Sequence, residues 1–506
     1  MAENTGEAVQ IFGLKKRLEW MMENCEFDAT PIGLKYVQDQ CAIENDRDLH
    51  HSVQLVMNGG EVGYPAYATW NEFQAEGVLQ LPISAAIINA ILKLYPSMPR
   101  DLLTEGTYMD FLEKAASLKS GLERWEQATI YIESNRGTVA EVAKAFYANV
   151  DDSPDFPLIT EKGWLLEKLQ PLSETDTPPS FQKHVAHQHG PNLPGWISKY
   201  THVKKRCMAA KGKNHLWNGD MYRVMEVIVG DGRLDVTLAP GRFYDYIDNC
   251  EVLGAEIACA IQSGGHQRIY PEQVPMRGTP DQAFELWSRM APIGISCLTI
   301  LKNYPLVVGK PPQNVFLMHE RGMNIAAGQN TWHVTPAGGH APVSMADSNS
   351  QERLLWSSIV REFVEECFNA EDAQKMQVSY DTFMSLPTIK PFIDNIFRRK
   401  DVSQIFLMGV ALEPVTLAFD AMVAIVIDWA KAEKADWSAL PVDKRPTPAL
   451  QIVQNYEAQK LRFVPLTGPQ SMLNELVQED GKSVYPAGQA CLLRGAHFYD
   501  ALIHAV

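Results

Sequence analysis

The sequence predicts an α/β (α+β) fold in its C-terminal half, preceded by a mainly helical N-terminal domain. Three observations carry this reading. Apolar residues recur at helical spacing through much of residues 1–170. After Gly195, β-branched and aromatic runs bounded by Pro and Gly take over. Between the two, Pro171 to Pro194 holds five prolines and almost no periodic apolar pattern, the composition of a linker. A chain of 506 residues exceeds one ordinary core. The expected organisation is therefore a helical domain over 1–170, a linker over 171–196, and an α/β domain over 197–506.

The helical region opens with Phe12–Met22, followed by Tyr108–Trp125, where Leu112, Ala115, Ala116 and Leu118 are among the apolar positions. Thr138–Phe146 is a further short amphipathic helix with Thr138 as its N-cap. This helix could open a helix-turn-helix, but the acidic, proline-broken NVDDSPDFP that follows supplies no basic recognition helix. His184, His187 and His189 in the linker lack the cysteines or acidic neighbours that would complete a metal ligand set, and read as loop residues.

In the C-terminal half, Tyr222–Val229 and Arg233–Leu238 read as strands joined by a hairpin turn at Gly230-Asp231-Gly232. Phe243–Ile261 reads as a helix. Strands are expected at Gly294–Leu301, Leu306–Val308, Asn314–His319, Thr331–Val334, Gln404–Leu412 and Met422–Ile427, with a strong helix at Asp347–Phe368 and a last one from Gly488 to Ile503.

Composition excludes several classes. Hydrophobic residues make up 46% and charged residues 21%, as in folded globular proteins. The net charge of −16 repels a phosphate backbone, so nucleic acid is not an expected partner. The one basic cluster, His202–Arg206 with Lys211 and Lys213 behind it, reads as a solvated loop or as a patch for an anionic ligand. The eight cysteines form no CxxC pair, and several sit in apolar runs, which fits a reducing compartment. The polar N-terminus resembles no signal peptide, and neither Leu79–Tyr95 nor Ala421–Ala430 makes a membrane span. The expected location is cytoplasmic, without membrane attachment.

Chemistry concentrates between Thr331 and Ala370. The segment reads as a strand entering Pro336-Ala337-Gly338-Gly339, a polar loop, and a helix with carboxylates near its C-terminal end. Ser348 and Gln351 have capping-box spacing, and Asn369 suits the left-handed residue that ends many helices. Glu362, Glu365 and Glu366 stand at i, i+3 and i+4, so their carboxylates share one helix face. Three negative charges beside the negative end of the helix dipole call for a cation. An all-oxygen set suits Mg²⁺ or Mn²⁺, which holds diphosphates and acidifies bound water. Arg361 can hold a carboxylate by a bidentate contact, and Gly338-Gly339 allows close backbone approach.

This arrangement resembles the Nudix hydrolase family, whose box runs Gly, five residues, Glu, seven residues, Arg-Glu, an apolar residue, any residue, Glu-Glu, any residue, and Gly followed by an aliphatic. Glu362, Glu365 and Glu366 fall on the family's metal ligands, Arg361 on its structural arginine, and Gly338 or Gly339 on its opening glycine. The loop before Glu352 is longer than the family's, and Glu352 stands one residue too far from Arg361, so that Arg353 takes its aligned place. The closing glycine is absent, with Asn369 one position later.

The resemblance implies a Nudix-like mixed-sheet sandwich with helices, most securely around the box at 338–370. It further implies a metal-dependent hydrolase of diphosphate linkages in a nucleotide-like small molecule. Glu362, Glu365 and Glu366 would be metal-binding and catalytic with Arg361, and Gly338 and Gly339 would face the substrate. A further carboxylate beyond the box would come from Glu413, Asp420 or Asp428. The N-terminal region would set substrate choice or form a homodimer. Two alternatives stand beside this reading: a ligand sensor on the same fold, favoured by the altered spacing, and a Nudix-fold enzyme of another reaction type.

Overall fold

In the computed structural model of the chain, the residues described are 9–10, 82–83, 108–183, 200–211, 216–264, 269–307, 309–322, 331–342, 345, 349–367, 378–440, 458–478 and 482–506. The expected helix at Phe12–Met22, the linker histidines, Ser348 and Asn369 lie outside them. The chain divides into two units, Met1–Gln127 with Asn192–Lys213, and Ala128–Pro191 with Asn214–Val506. No helix of the described residues is long and apolar enough to cross a membrane.

Helix α1, Tyr108–Phe146, absorbs both helices expected in this stretch. Its helical geometry breaks at Asn135 (φ −131°, ψ 27°), three residues before the expected cap at Thr138. In the smaller unit, α2 (Tyr200–Ala210) carries the basic cluster expected in a loop. Val203 is buried there, Arg206 pairs with Glu126 at 2.5 Å, and Tyr200 meets Trp125 edge to face. On this helix buried Tyr200, Thr201, Val203 and Cys207 are interspersed with the basic residues.

The larger unit is mixed α/β. Its main sheet contains β1 (Leu165–Leu172), β5 (Ile293–Tyr304), β6 (Gln313–Arg321), β7 (Trp332–Val334), β8 (Ala337–Gly339), β9 (Ser403–Leu412), β10 (Phe419–Asp428) and β11 (Ala458–Pro465). The order is β11-β6-β5-β10-β9-β1, with β7 on β6 and β8 on β5. Neighbours are antiparallel except β5 and β10, which run parallel from Phe419↔Ile293 to Asp428↔Lys302. A smaller sheet is formed by β2 (Ser180–Phe181), β3 (Asp220–Gly230) and β4 (Arg233–Arg242). The β3–β4 hairpin turns at Asp231 and Gly232, both with positive φ, as its Gly-Asp-Gly sequence anticipates.

One feature of the large sheet positions the site. Strands β5 and β6 pair only near Ile300–Tyr304 and Gln313–Phe316. Past that point, β7 pairs with Met318–Glu320 of β6, and β8 pairs with Gly294–Ser296 of β5. The segment 332–339 thus bridges two diverging strands. Leu298 and Ile300 of β5 share a core with Phe316, Met422, Ala424, Ala490 and Leu492, the last two on α5 (Pro486–His497). Helix α4 (Leu355–Cys367) buries Ile359, Val360, Phe363 and Val364.

Several expectations change in detail. The helix expected from Asp347 begins as a 3₁₀ turn at Gln351–Arg353 and becomes α-helical at Leu355. Asn349 Oδ1 accepts from Glu352 N at 3.0 Å and stabilises that turn. Leu306 and Val307 lie outside any strand. The helix expected at Phe243–Ile261 is present, but a π-helical turn at Ile247–Glu251 separates Phe243–Tyr246 from α3 (Val252–Gly264). The expected linker contains order: β1 ends at Leu172, and Ser180–Phe181 joins the smaller sheet.

Candidate active site

The box strand and the box helix meet directly. Strand β8 is fixed by its register on β5, with Ala337 opposite Ser296, Gly338 opposite Ile295 and Gly339 opposite Gly294. Glu362 of α4 places its carboxylate against Gly338, inside the space a Cβ there would need. Glu366 is buried and reaches the same strand: Oε2 accepts from Thr335 Oγ1 at 2.8 Å and Oε1 from Ala337 N at 3.1 Å. Glu365, between them on the helix, is half-buried. Gly339 has more room, its nearest neighbour on the Cβ side being Met221 Cε at 3.8 Å.

Arg361 does not hold a carboxylate as expected. Its Nη2 donates to the Ala341 carbonyl at 2.8 Å and so pins the loop that leaves β8. A backbone carbonyl within reach satisfies the guanidinium as well, and fixes chain direction. Glu352 is buried in the 3₁₀ turn preceding α4.

His340, given no role by its sequence context, ties these parts together. It is fully buried, with Nδ1 2.7 Å from Ser358 Oγ and Nε2 3.1 Å from the Arg353 carbonyl. A carbonyl only accepts, so Nε2 carries the proton and Nδ1 accepts from the serine. Burial, reinforced by Arg361, pushes its pKa down to about 3, so the ring remains neutral. A cavity of about 420 Å³ opens beside it, lined by Leu354, Trp356 and Phe419 on the apolar side and by Thr175, Asp176 and Arg233 among its polar groups.

The three carboxylates beyond the box separate clearly. Asp428 accepts from Lys431 N at 3.3 Å and from Asn303 Nδ2 at 3.2 Å, a helix-capping role. Glu413 closes its own turn, with Oε2 accepting from Thr416 N and Oγ1, both at 2.8 Å. Asp420 is set between strands β10 and β5, where Ser296 Oγ donates to Oδ1 at 2.9 Å and Gly294 leaves room for Oδ2. Burial raises the Asp420 pKa to about 7; Glu413 adds to the rise, while Ser296 and Arg321 oppose it.

The donor set is compatible in kind with a hard divalent cation. Glu362 and Glu366 converge on one strand, and carboxylate oxygens are the ligands such a cation takes. Among the described residues, no group of three His, Cys, Asp or Glu side chains is already arranged around a common metal position. No family model matches the chain, and no curated protein matches it either.

Proposed function

We propose that the larger unit is a Nudix-like fold and that residues 338–367 form its metal and diphosphate site, making the protein a metal-dependent hydrolase of nucleotide-like diphosphates. The observation that carries this reading is the seating of the Glu362 carboxylate on Gly338 while Glu366 is locked to Ala337. Two acids of the RExxEE motif thereby face the glycine strand that the motif pairs with. The bridging of diverging β5 and β6 by 332–339 gives that strand its fixed position.

In this reading Glu362, Glu365 and Glu366 would hold Mg²⁺ or Mn²⁺, and that ion would supply charge neutralisation of the diphosphate and a more acidic bound water. Glu366 has a second task, tying the box strand to the box helix. Arg361 and His340 are positioning residues, the first through Ala341 and the second through Ser358 and Arg353. Asp420, whose Oδ2 lies against Gly294, the register partner of Gly339, is the carboxylate beyond the box that this reading assigns to proton exchange. The reaction is attack of water on one phosphorus of the diphosphate, with the other phosphate leaving on its own group.

The test is turnover of a panel of diphosphate-linked nucleotides with and without Mg²⁺ or Mn²⁺, with Glu365→Gln and Glu366→Gln as controls. Metal-dependent release of a nucleotide, lost in both variants, is the expected result. One observation favours a ligand-sensing alternative: both Glu366 oxygens already accept hydrogen bonds from the protein. Binding without turnover that survives both substitutions selects the sensor.

A further inference from the structure

A second polar centre lies outside the box, assembled from five separate segments of the larger unit. Arg136, one residue beyond the helix break at Asn135, donates from Nη2 to the Tyr485 hydroxyl at 3.1 Å. Its guanidinium also stands 5.1 Å from the centre of the Tyr485 ring and 3.4 Å, Nη2 to Oε1, from Glu413. Tyr485, immediately before α5, stacks on His333 of β7 at 5.2 Å. His333 in turn meets His319, its register partner on β6, at 6.2 Å. Arg321 follows two residues after His319 and so leaves β6 on the same face. It lies within electrostatic reach of His333, Tyr485 and Asp420.

Within this centre three buried nitrogens make no hydrogen bond inside the protein, Nε of Arg136, Nε of Arg321 and Nε2 of His319, and neither does one acceptor, Oε1 of Glu413, which stands 3.4 Å from Arg136 Nη2. Folded proteins leave very few buried polar atoms in this condition, and a concentration of them marks a place where something else completes the bonding. Two of the three can only donate, and the third does so in one tautomer. The complementary partner is therefore an acceptor with several oxygens. Charge agrees with this, provided its limits are respected. Arg136 faces Glu413 and lies within electrostatic reach of Glu251, so its charge is compensated and the centre attracts a ligand by directed donation more than by net charge. Burial raises the Asp420 pKa to about 7, so near neutral pH it is about half protonated and its repulsion is partial.

We propose that Arg136, Arg321 and His319 form an oxyanion seat, taking a phosphate or carboxylate group of a small-molecule ligand. The seat does not depend on metal binding by the box. Its walls come from α1, β6, β7, the turn after β9 and the residue before α5, so an occupant would tie the helical segment around Arg136 to the sheet.

Calorimetric titration of the full chain in EDTA, with inorganic phosphate in one arm and acetate in the other, tests this. Saturable binding of either ion, weakened about tenfold or more by Arg321→Gln with an unchanged unfolding midpoint, is the expected result. The arm that responds identifies the oxyanion. Because Arg136→Gln alone would strand Glu413, the second variant is Arg136→Gln with Glu413→Gln, which removes both charges and is expected to weaken binding similarly. Absence of binding in both arms by the folded wild type, or binding indifferent to Arg321→Gln and to the double variant, overturns the proposal.

Discussion

The carboxylate of Glu362 rests against Gly338, where any other residue would place its Cβ. This contact joins the two halves of the RExxEE and PAGG motif through space, and the lack of a side chain at position 338 makes it possible. Gly338→Ala sets a methyl group against the end of a flexible side chain, which can swing aside. The fold should therefore survive, with an unfolding midpoint within a few degrees of wild type, while metal-dependent turnover falls at least about tenfold. Gly339→Ala, with 3.8 Å to Met221 Cε, should be milder in the same assay.

Glu365→Gln and Glu366→Gln should separate in stability even if both abolish turnover. Glu366 accepts from Thr335 and from Ala337 N, and an amide turns one oxygen into a donor facing them. Denaturant unfolding should show Glu366→Gln destabilised by about 1–3 kcal/mol. Glu365 is half-buried, and its substitution should stay within about 0.5 kcal/mol.

Stability should peak near pH 6.5. Burial lowers the pKa of His319 and His340 to about 3, and that of His333 well below its usual value. Their contribution is present above the unfolded value of 6.5 and is lost as pH falls towards 3. Burial raises Asp420 and Glu256 to about 7, so their contribution runs the other way, complete below the unfolded values and lost as pH rises through 7. Between about pH 4.5 and 6.5, the unfolded chain holds the three imidazole protons of His319, His333 and His340 that the folded one lacks, the lowered His497 adds in the same direction, and the folded chain holds two extra carboxyl protons. The difference, 3 − 2 = 1 before His497 is counted, makes stability rise with pH there. Above 6.5 only the carboxyl contribution remains, and the slope reverses. Urea midpoints from pH 4.5 to 8 check this; a monotonic rise contradicts it.

Arg277→Met should be among the most damaging substitutions outside the box. The guanidinium donates to the Tyr147 hydroxyl at 2.8 Å, to the Pro414 carbonyl at 2.7 Å and to the Val415 carbonyl, holding the turn that presents Glu413. Its loss leaves these buried acceptors without their donor, at a cost of about 3–5 kcal/mol. Thermal unfolding measures it.

Sequence reading reached the elements whose signals are local. The Gly-Asp-Gly hairpin and the β-branched run at Gly294–Leu301 follow from turn chemistry and composition, and the structure contains them. Strand β1 escaped because Leu165–Leu172 is an edge strand with Pro171 and exposed charges, a pattern that also reads as the start of a linker. In the candidate site, Glu362 and Gly338 were legible as a spaced motif, whereas His340 was not, since its partners, Ser358 and Arg353, belong to the following helix and turn. Nothing local could reveal that Arg136, Glu413 and Tyr485 converge, because their neighbourhood is created by the fold alone.

The most direct test of the box as a metal site is a Mn²⁺ titration of the full chain, followed by electron paramagnetic resonance of the free ion, in wild type and Glu362→Gln. A saturable site in wild type, lost or weakened at least about tenfold in the variant, is the predicted result. Binding that is equally tight in both proteins, or no binding by folded wild type, would contradict the assignment of Glu362, Glu365 and Glu366 as ligands.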